Sequence, residues 1–332
     1  MVPLFFWMGF SQYNCLMLEN QSKGLVMPIL NFGSLNIDHV YRVDNFVQPG
    51  ETKHTTSYTV HSGGKGLNQS IAAARAGSRV FHAGVAGRDG SFLVEMLQAA
   101  GVDTSLMAAS QEVSGHAIIQ VADSGQNCIL LYGGTNQLLT EEYIDRVLDE
   151  FGSEGVVLLQ NETNLVGEII QKAARKGLKV ALNAAPYSEN VKTYPIELLE
   201  WLIVNEVEGM GIVGSGEDGA LLQRLAERYP NTSILLTLGS RGAQSYRAGS
   251  HARIGSCKVQ TVDTTAAGDT FSGYFLFGVM EGLSLADSLR LATAASALCV
   301  QRPGAADSIP TRAEVEKALK DVSLQVPEVV EW

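Results

Sequence analysis

Hydrophobic positions along this chain form short continuous runs that alternate with stretches of helical period. The continuous runs predict buried β-strands over 29–32, 80–85, 156–160, 178–183, 201–204 and 234–238. Apolar spacings of three and four predict helices over 65–76, 91–100, 141–151, 165–176, 218–228, 285–299 and 312–320. Strands of this kind, separated by helices, are covered on both faces. The pattern therefore predicts an α/β fold with a mostly parallel central sheet and helices on both faces.

Two further pairs of predicted strands have the character of a small separate sheet. Residues 41–47 and 52–60 are rich in Val, Thr and Tyr, and 115–121 and 128–132 flank a polar turn. We place them in lid segments at about 39–62 and 113–133, inserted into one α/β domain over 27–332. Such lids shut out water and complete a site when they close.

Composition and charge narrow the class of protein. The chain has 332 residues, 45% of them hydrophobic and 18% charged, as in ordinary globular domains. A formal net charge of −11 argues against nucleic acid or an anionic membrane surface as a partner. The four cysteines show no metal-ligand spacing, which favours a reducing cytoplasm.

The first 26 residues contain an apolar run over 4–10 that is too short to span a bilayer and has no signal-peptide features. We expect 1–26 to be an N-terminal extension of unknown role.

The stretch 261–271, TVDTTAAGDTF, carries the strongest chemical signal. An apolar run ends before 263–265, whose side chains predict a turn and the N-cap of a helix, and a helical pattern follows. Ala266, Ala267 and Gly268 are small enough for a ligand to approach the backbone, where the N–H groups of a helix start can hold an anion. Asp269 adds a carboxylate in that first turn. The alternative is that Asp269 only complements the helix dipole.

A second motif, GGKGLNQ, lies at 63–69, at the start of a predicted helix. Lys65 is electrostatically misplaced there, which suggests a ligand. The residue after Lys65 is Gly66, so the Walker A pattern is missing, and the absence of GxGxxG disfavours a dehydrogenase. Asn36 and Asp38 follow the first predicted strand, where ligands of open α/β sheets bind. They could bind a vicinal diol or form an Asx-turn pair.

DTTAAGDTF resembles the C-terminal signature of the ribokinase-like (PfkB-type) carbohydrate kinase family, written DTxGAGD, and GGKGLNQ resembles a second signature of that family. The resemblance covers about 28–322. It implies an ATP-dependent kinase acting on the primary hydroxyl of a small sugar, with D-ribose expected to give D-ribose 5-phosphate. It also implies Mg²⁺ and the monovalent cation K⁺ as cofactors, and a homodimer formed through the lid.

The resemblance implies roles for individual residues as well. Asp269 would be the catalytic base, and the N–H groups of 266–268 would stabilise the transferring phosphoryl group. The sugar would be bound by Asn36, Asp38, Gly64, Lys65, Asn68 and Glu162. The nucleotide and its phosphates would be bound by Asn205, Glu208, Thr237, Gly239, Ser240 and Gly242. The monovalent cation would be bound around Asp263, Thr265, Cys299, Arg302, Gly304 and Ser308.

Several alternatives stay open. The same fold carries kinases of fructose, ketodeoxygluconate and nucleosides, although GGKGLNQ with Asn36 and Asp38 favours ribose. A non-catalytic nucleotide- or sugar-binding regulator is an alternative of a different class, against which the intact Asp269 argues. Glu208 could instead be a solvated helix charge, and the loop at 300–308 could simply join two helices.

Overall fold

The computed structural model describes residues 27–216, 219–321 and 324–332. The extension predicted at 1–26 and Asp218, where one predicted helix begins, lie outside them. The strands are Ile29–Phe32 (β1), Asn36–Val43 (β2), Ser57–Gly63 (β3), Val80–Ala83 (β4), Val85–Ala86 (β5), Ala108–Ala109 (β6), Gly115–Ala122 (β7), Asn127–Tyr132 (β8), Val156–Gln160 (β9), Lys179–Asn183 (β10), Trp201–Asn205 (β11), Ser233–Thr237 (β12), Ala243–Arg247 (β13), Ser250–Ile254 (β14) and Val330–Glu331 (β15). The helices are Lys65–Ala76 (α1), Ser91–Ala99 (α2), Glu141–Phe151 (α3), Val166–Arg175 (α4), Glu206–Val213 (α5), Leu221–Arg228 (α6), Ala267–Met280 (α7), Leu285–Cys299 (α8) and Arg312–Lys320 (α9).

The central sheet has the order β15-β14-β13-β12-β11-β10-β9-β1-β4 within the described residues. The strands from β4 to β12 in that order pair in parallel, and β13, β14 and β15 add an antiparallel edge. The predicted α/β fold with a mostly parallel sheet is confirmed. Its antiparallel edge was missed because β13 and β14 are only partly buried and carry no continuous apolar run.

Helices cover both faces of this sheet, as the continuous apolar strands predicted. Neighbouring residues of β1 contribute to opposite cores: Ile29 belongs to the cluster that includes buried residues of α1, α7 and α8, whereas Leu30 belongs to the cluster that includes buried residues of α3, α4 and α6. Tyr274 on α7 is fully buried and donates its hydroxyl to the Pro310 carbonyl at 2.8 Å. This packing fixes the N-termini of α1 and α7 at one end of the sheet, near the carboxyl end of β1.

The small sheet has the order β3-β2-β7-β8, and the hairpin predicted over 115–121 and 128–132 is confirmed as β7 and β8. The bounds predicted for its first two strands are wrong. β2 begins at Asn36, and β3 begins at Ser57 and reaches Gly63. From Asn36 onward β2 pairs with β3 on one side and with β7 on the other. Backbone hydrogen bonds to these two strands allow β2 to begin at Asn36, closer to β1 than predicted.

The glycines of the first motif serve backbone packing as well as ligand approach. A Cβ at Gly66 would lie 2.1 Å from the Ser34 nitrogen, and a Cβ at Gly33 would lie 2.7 Å from the Gly66 Cα. Only glycine permits this contact between α1 and the turn after β1. Gly64 has a φ of 94°, which also favours glycine. Across the part of the chain that the structure describes, no helix combines the length and apolar character needed to cross a membrane.

Candidate active site

The N-terminus of α7 presents backbone groups at the carboxyl edge of the sheet. Its N-cap residue is Ala266, in the left-handed conformation with φ 60°, so the N-cap position predicted within 263–265 is wrong. No described side chain caps this helix. A Cβ at Gly268 would meet open space, which leaves room for a ligand. The N–H of Ala267 donates to the Thr264 carbonyl at 3.2 Å, so this group already has an internal partner.

Asp269 lies in the first turn of α7 and is only 6% exposed. Its two carboxylate oxygens accept hydrogen bonds from consecutive residues of α1. The Asn68 Nδ2 donates to Oδ2 at 3.0 Å, and the Gln69 Nε2 donates to Oδ1 at 2.9 Å. The structure thereby brings together the two sequence motifs, with Asn68 facing Asp269.

Acidic side chains surround Lys65 near this point. Glu162, which follows β9, accepts hydrogen bonds from the Ser34 hydroxyl and from the Lys65 N–H, the latter at 2.8 Å. Burial raises the pKa of Glu162, against the opposing effect of the Lys65 charge. The Asp269 carboxylate, followed by Glu162 and Glu208, raises the pKa of Lys65 despite its burial. Lys65 therefore stays cationic among several carboxylates.

Asp38 and Asn36 lie on β2 rather than in a turn, which excludes the Asx-turn alternative. Burial, and secondarily the charge of Glu162, raises the pKa of Asp38 to about 7. The Asn36 Oδ1 accepts a hydrogen bond from the Asn136 Nδ2 at 2.8 Å, and the Asn136 Oδ1 accepts from the Leu35 N–H at 2.9 Å. Because its oxygen is engaged, Asn36 can offer its amide nitrogen as a donor to a ligand.

A cavity of about 380 Å³ lies on the other side of the α7 N-terminus. The turn predicted to bind nucleotide and the start of α7 both line it. Its lining includes Thr237, Gly239, Ser240, Gly242, Thr264, Ala267, Gly268 and Thr293. A cavity of this size, with a few polar groups in its lining, is typical of a small-molecule binding site.

Asn205 and Glu208 form a capping box at the start of α5. The Asn205 Oδ1 accepts the N–H groups of Val207 and Glu208 at 2.8 and 3.1 Å, and the Glu208 carboxylate accepts the Asn205 N–H. Glu208 is buried, and burial raises its pKa. The alternative that Glu208 is a solvated charge is therefore wrong, and the pair has a structural role in holding α5.

The turn before α7 contacts the loop after α8. Asp263 accepts the Thr265 N–H at 2.9 Å through Oδ1 and the Gly304 N–H at 3.0 Å through Oδ2. Burial acts to raise the pKa of Asp263, but the hydrogen bond from the Thr265 hydroxyl at 2.6 Å, together with those from the two N–H groups, outweighs it and lowers the pKa. The Cys299 Sγ lies 3.7 Å from the Thr265 carbonyl oxygen and 3.1 Å from the Ser308 Oγ. Arg302 instead directs its guanidinium to Glu314, at 2.6 Å.

Comparison with known proteins matches residues 28–312 to the family described as pfkB family carbohydrate kinase. The chain belongs to the pfkB family of carbohydrate kinases. Ribokinase of Haemophilus influenzae is 36% identical over 299 residues, which cover 87% of this chain and 97% of that protein.

Comparison with solved structures also finds carbohydrate kinases that resemble this chain. A ribokinase of Cryptococcus neoformans var. grubii serotype A in complex with ADP is 35% identical, with a TM-score of 0.77, covering 88% of this chain and 99% of that one. Arabidopsis thaliana ribokinase complexed with ribose and ATP is 27% identical, with a TM-score of 0.77, covering 90% and 100%. This pfkB family chain is thus a phosphotransferase that acts on a sugar hydroxyl.

Three residues of this pfkB kinase site were not singled out from sequence. Gln69 lies within GGKGLNQ, so its motif was visible although its contact with Asp269 was not. Gln160 ends the apolar strand β9, where a buried polar side chain is a usable signal. Asn136 lies in a short turn, and no sequence pattern connected it to Asn36.

Proposed function

We propose that this chain transfers a phosphoryl group from ATP to the primary hydroxyl of D-ribose, forming D-ribose 5-phosphate. The observation that carries the proposal is the position of Asp269 between two environments. On one side lie Asp38 and Glu162, which suit a polyhydroxylated sugar, and on the other lies the cavity at the start of α7. Relatives described as ribokinases support ribose as the sugar.

The proposed chemistry uses few groups. Asp269 accepts the proton of the attacking hydroxyl. The charge of Lys65 and the N–H groups of Ala266 and Gly268 stabilise negative charge on the transferring phosphoryl group. The Ala267 N–H can donate to the phosphoryl group as well only if it shares or breaks its hydrogen bond to the Thr264 carbonyl. Phosphoryl transfer depends mainly on such positioning and electrostatic stabilisation.

The sugar hydroxyls are bound by hydrogen-bond acceptors and by a hydrogen-bond donor. Asp38 and Glu162 accept from hydroxyl groups, and the Asn36 amide nitrogen donates to one. Gly64, Lys65 and Asn68 complete this side of the site. Thr237, Gly239, Ser240 and Gly242 contact the nucleotide.

We propose two cation cofactors. Mg²⁺, when bound, neutralises charge on the phosphate oxygens. The described residues contain no cluster of three His, Cys, Asp or Glu side chains that could hold a metal. Mg²⁺ would therefore bind through ATP phosphates and water, with Glu208 as the nearby protein carboxylate. K⁺ would be held by carbonyls of the Asp263–Thr265 turn and the 299–308 loop, which hydrogen bonds join.

We further propose a homodimer formed through the small sheet, acting in a reducing cytoplasm. Leu130 and Tyr132 are 65% and 55% exposed on β8, as befits an interface. The three cysteines that the structure describes, Cys128, Cys257 and Cys299, are free thiols, which suits a reducing compartment.

Replacing the base tests the mechanism. Asp269→Asn keeps the shape and removes the proton acceptor, so kcat should fall by about 10²–10⁴-fold, while ribose and ATP binding change far less. A coupled ADP-release assay measures kcat, and calorimetry measures binding. Retention of kcat within a few-fold would rule out Asp269 as the base.

The same assay identifies the sugar. It should be run with ribose, deoxyribose, fructose, ketodeoxygluconate and adenosine at matched concentrations. The highest kcat/KM is expected with ribose. A higher value with another acceptor would reassign the substrate within the family.

A further inference from the structure

A line of buried amide side chains runs from Asp269 into the central sheet. Gln69 donates from Nε2 to Asp269, and its Oε1 accepts from the Gln160 Nε2 at 2.9 Å. Gln160, the last residue of β9, also donates to the Asn31 Oδ1 on β1 at 3.1 Å. Gln69 and Gln160 are 0% and 1% exposed. The amide nitrogens of both residues therefore have protein partners in a region that water does not reach, whereas the Gln160 Oε1 has no hydrogen-bond partner among the described residues.

The hydrogen-bond directions are consistent along the whole line. Asn31 uses its amide nitrogen to donate to the Gly66 carbonyl and the Ser70 Oγ, each at 2.8 Å, which turns its oxygen toward Gln160. Gln160 donates in both directions from its amide nitrogen. Gln69 must then face Gln160 with its oxygen and Asp269 with its nitrogen. A flipped Gln69 would set its oxygen against the carboxylate.

The far end of the line is anchored by a buried histidine. His82 contacts the Ser70 Oγ through Nδ1 at 2.8 Å and the Gly33 carbonyl through Nε2 at 3.2 Å. Burial lowers the pKa of His82 to about 4, so its imidazole is neutral near pH 7. A neutral ring accepts at Nδ1 from Ser70 and donates at Nε2 to Gly33. Donation therefore runs outward from Gln160, through Asn31 and Ser70 to His82 on β4 in one direction and through Gln69 to Asp269 in the other.

We propose that Gln69 is a positioning residue for Asp269 and that Gln160 acts through it by fixing the Gln69 amide. The inference rests on the proposed role of Asp269 as the base. With Asn68 alone, the carboxylate could rotate about its Cβ–Cγ bond. A second donor on the other oxygen holds the carboxylate plane toward the attacking hydroxyl.

Gln69→Met is the decisive variant, because methionine keeps the length and removes the donor. We expect kcat to fall by about 10–100-fold through misplacement of the base, with the KM values for ribose and ATP little changed. Gln160→Met leaves both direct donors to Asp269 in place, so it should produce a smaller change in the same direction.

Thr270→Val is the matched control. Thr270 follows Asp269 on α7, is fully buried, and has an Oγ1 without a hydrogen-bond partner among the described residues. Its kcat and KM values should match those of the wild-type enzyme. An unchanged kcat in Gln69→Met, or a fall in kcat accompanied by an equally large rise in the KM values for ribose and ATP, would overturn the proposal.

Two further comparisons keep the outcome clear. If Gln69→Met does not fold, Gln160→Met decides, and an unchanged kcat in that variant overturns the proposal. Asp269→Asn separates this inference from the proposed function. High activity in Asp269→Asn would contradict the assignment of Asp269 as the base. A large loss of activity in Asp269→Asn, combined with wild-type kinetics in Gln69→Met, would contradict only the positioning role of Gln69.

Discussion

Asp38 shows how the environment of one residue changes its chemistry. Its carboxyl lies against Gly63, where an added Cβ would come within 2.3 Å of Oδ2. Burial at this position, and secondarily the charge of Glu162, raises the pKa of Asp38 to about 7. An ordinary aspartate would be fully ionised at neutral pH, whereas Asp38 changes its charge there. Sugar binding should therefore depend on pH through this group.

We expect the KM for ribose to fall by about fivefold as pH rises through about 7, because a charged acceptor is stronger than a neutral one by roughly 1 kcal/mol. Steady-state kinetics from pH 6 to 8 measure this. Asp38→Asn should show a higher KM that no longer changes with pH. A pH dependence that persists in Asp38→Asn would assign it to another group.

The raised pKa of Asp38 also makes the stability of the fold decrease as the pH rises. The folded pKa of Asp38 lies above its unfolded value of 3.8, so proton binding stabilises the fold fully below about pH 4. That contribution is lost as pH rises through about 7. Relative to wild type, Asp38→Asn should gain most Tm at pH 8, a smaller amount at pH 5 and little below about pH 4.

At the scale of elements, the start of α7 depends on a loop that is distant in sequence. Asp263 joins its own turn to the N–H of Gly304, and Ser296 on α8 donates its hydroxyl to the Ala267 carbonyl at 3.1 Å. The loop over 300–308 therefore does more than join two helices. A cation bound between these segments would fix the direction of the N–H groups at the start of α7.

We expect K⁺ to raise kcat several-fold over Na⁺ or Li⁺ at matched ionic strength. Gly304→Val places a branched side chain at φ 91° and should remove the K⁺ response. Gly249→Val is the matched control, since φ there is 86° and its Cβ also meets open space. It should keep the response. Equal rates in the three cations would exclude the cation site while leaving the kinase assignment intact.

At the scale of the whole molecule, the small sheet leaves apolar side chains uncovered. Tyr58, Ile118, Leu130 and Tyr132 lie in register on one face and are 39–65% exposed. An exposed apolar sheet surface of this kind marks an interaction site. A second copy of the chain is the partner that we propose.

Leu130→Glu should disrupt this dimer, because it would bury a charge in the interface. Sedimentation velocity should give a dimer for the wild type and a monomer for the variant. Leu198→Glu is the control, since Leu198 is 45% exposed away from the small sheet. It should stay dimeric. A monomeric wild type would contradict the proposed assembly.

The sequence by itself determined the α/β class, the hairpin over β7 and β8, and the adjacency of Asp269 to a helix start. These features depend on residues that are neighbours along the chain, where hydrophobic period and turn chemistry act. The start of β2 at Asn36 was not predicted, because its backbone partners come from β3 and β7.

Only the tertiary structure decided which side chains meet Asp269. Gln69 and Asn68 lie 200 and 201 residues from it along the chain. Hydrogen bonds over such separations leave no periodic signal, since they depend on how α1 and α7 pack on the sheet. The same holds for Asn136 and Asn36, which are 100 residues apart. Local patterns therefore specified the elements, whereas the packing of those elements specified the geometry of the site.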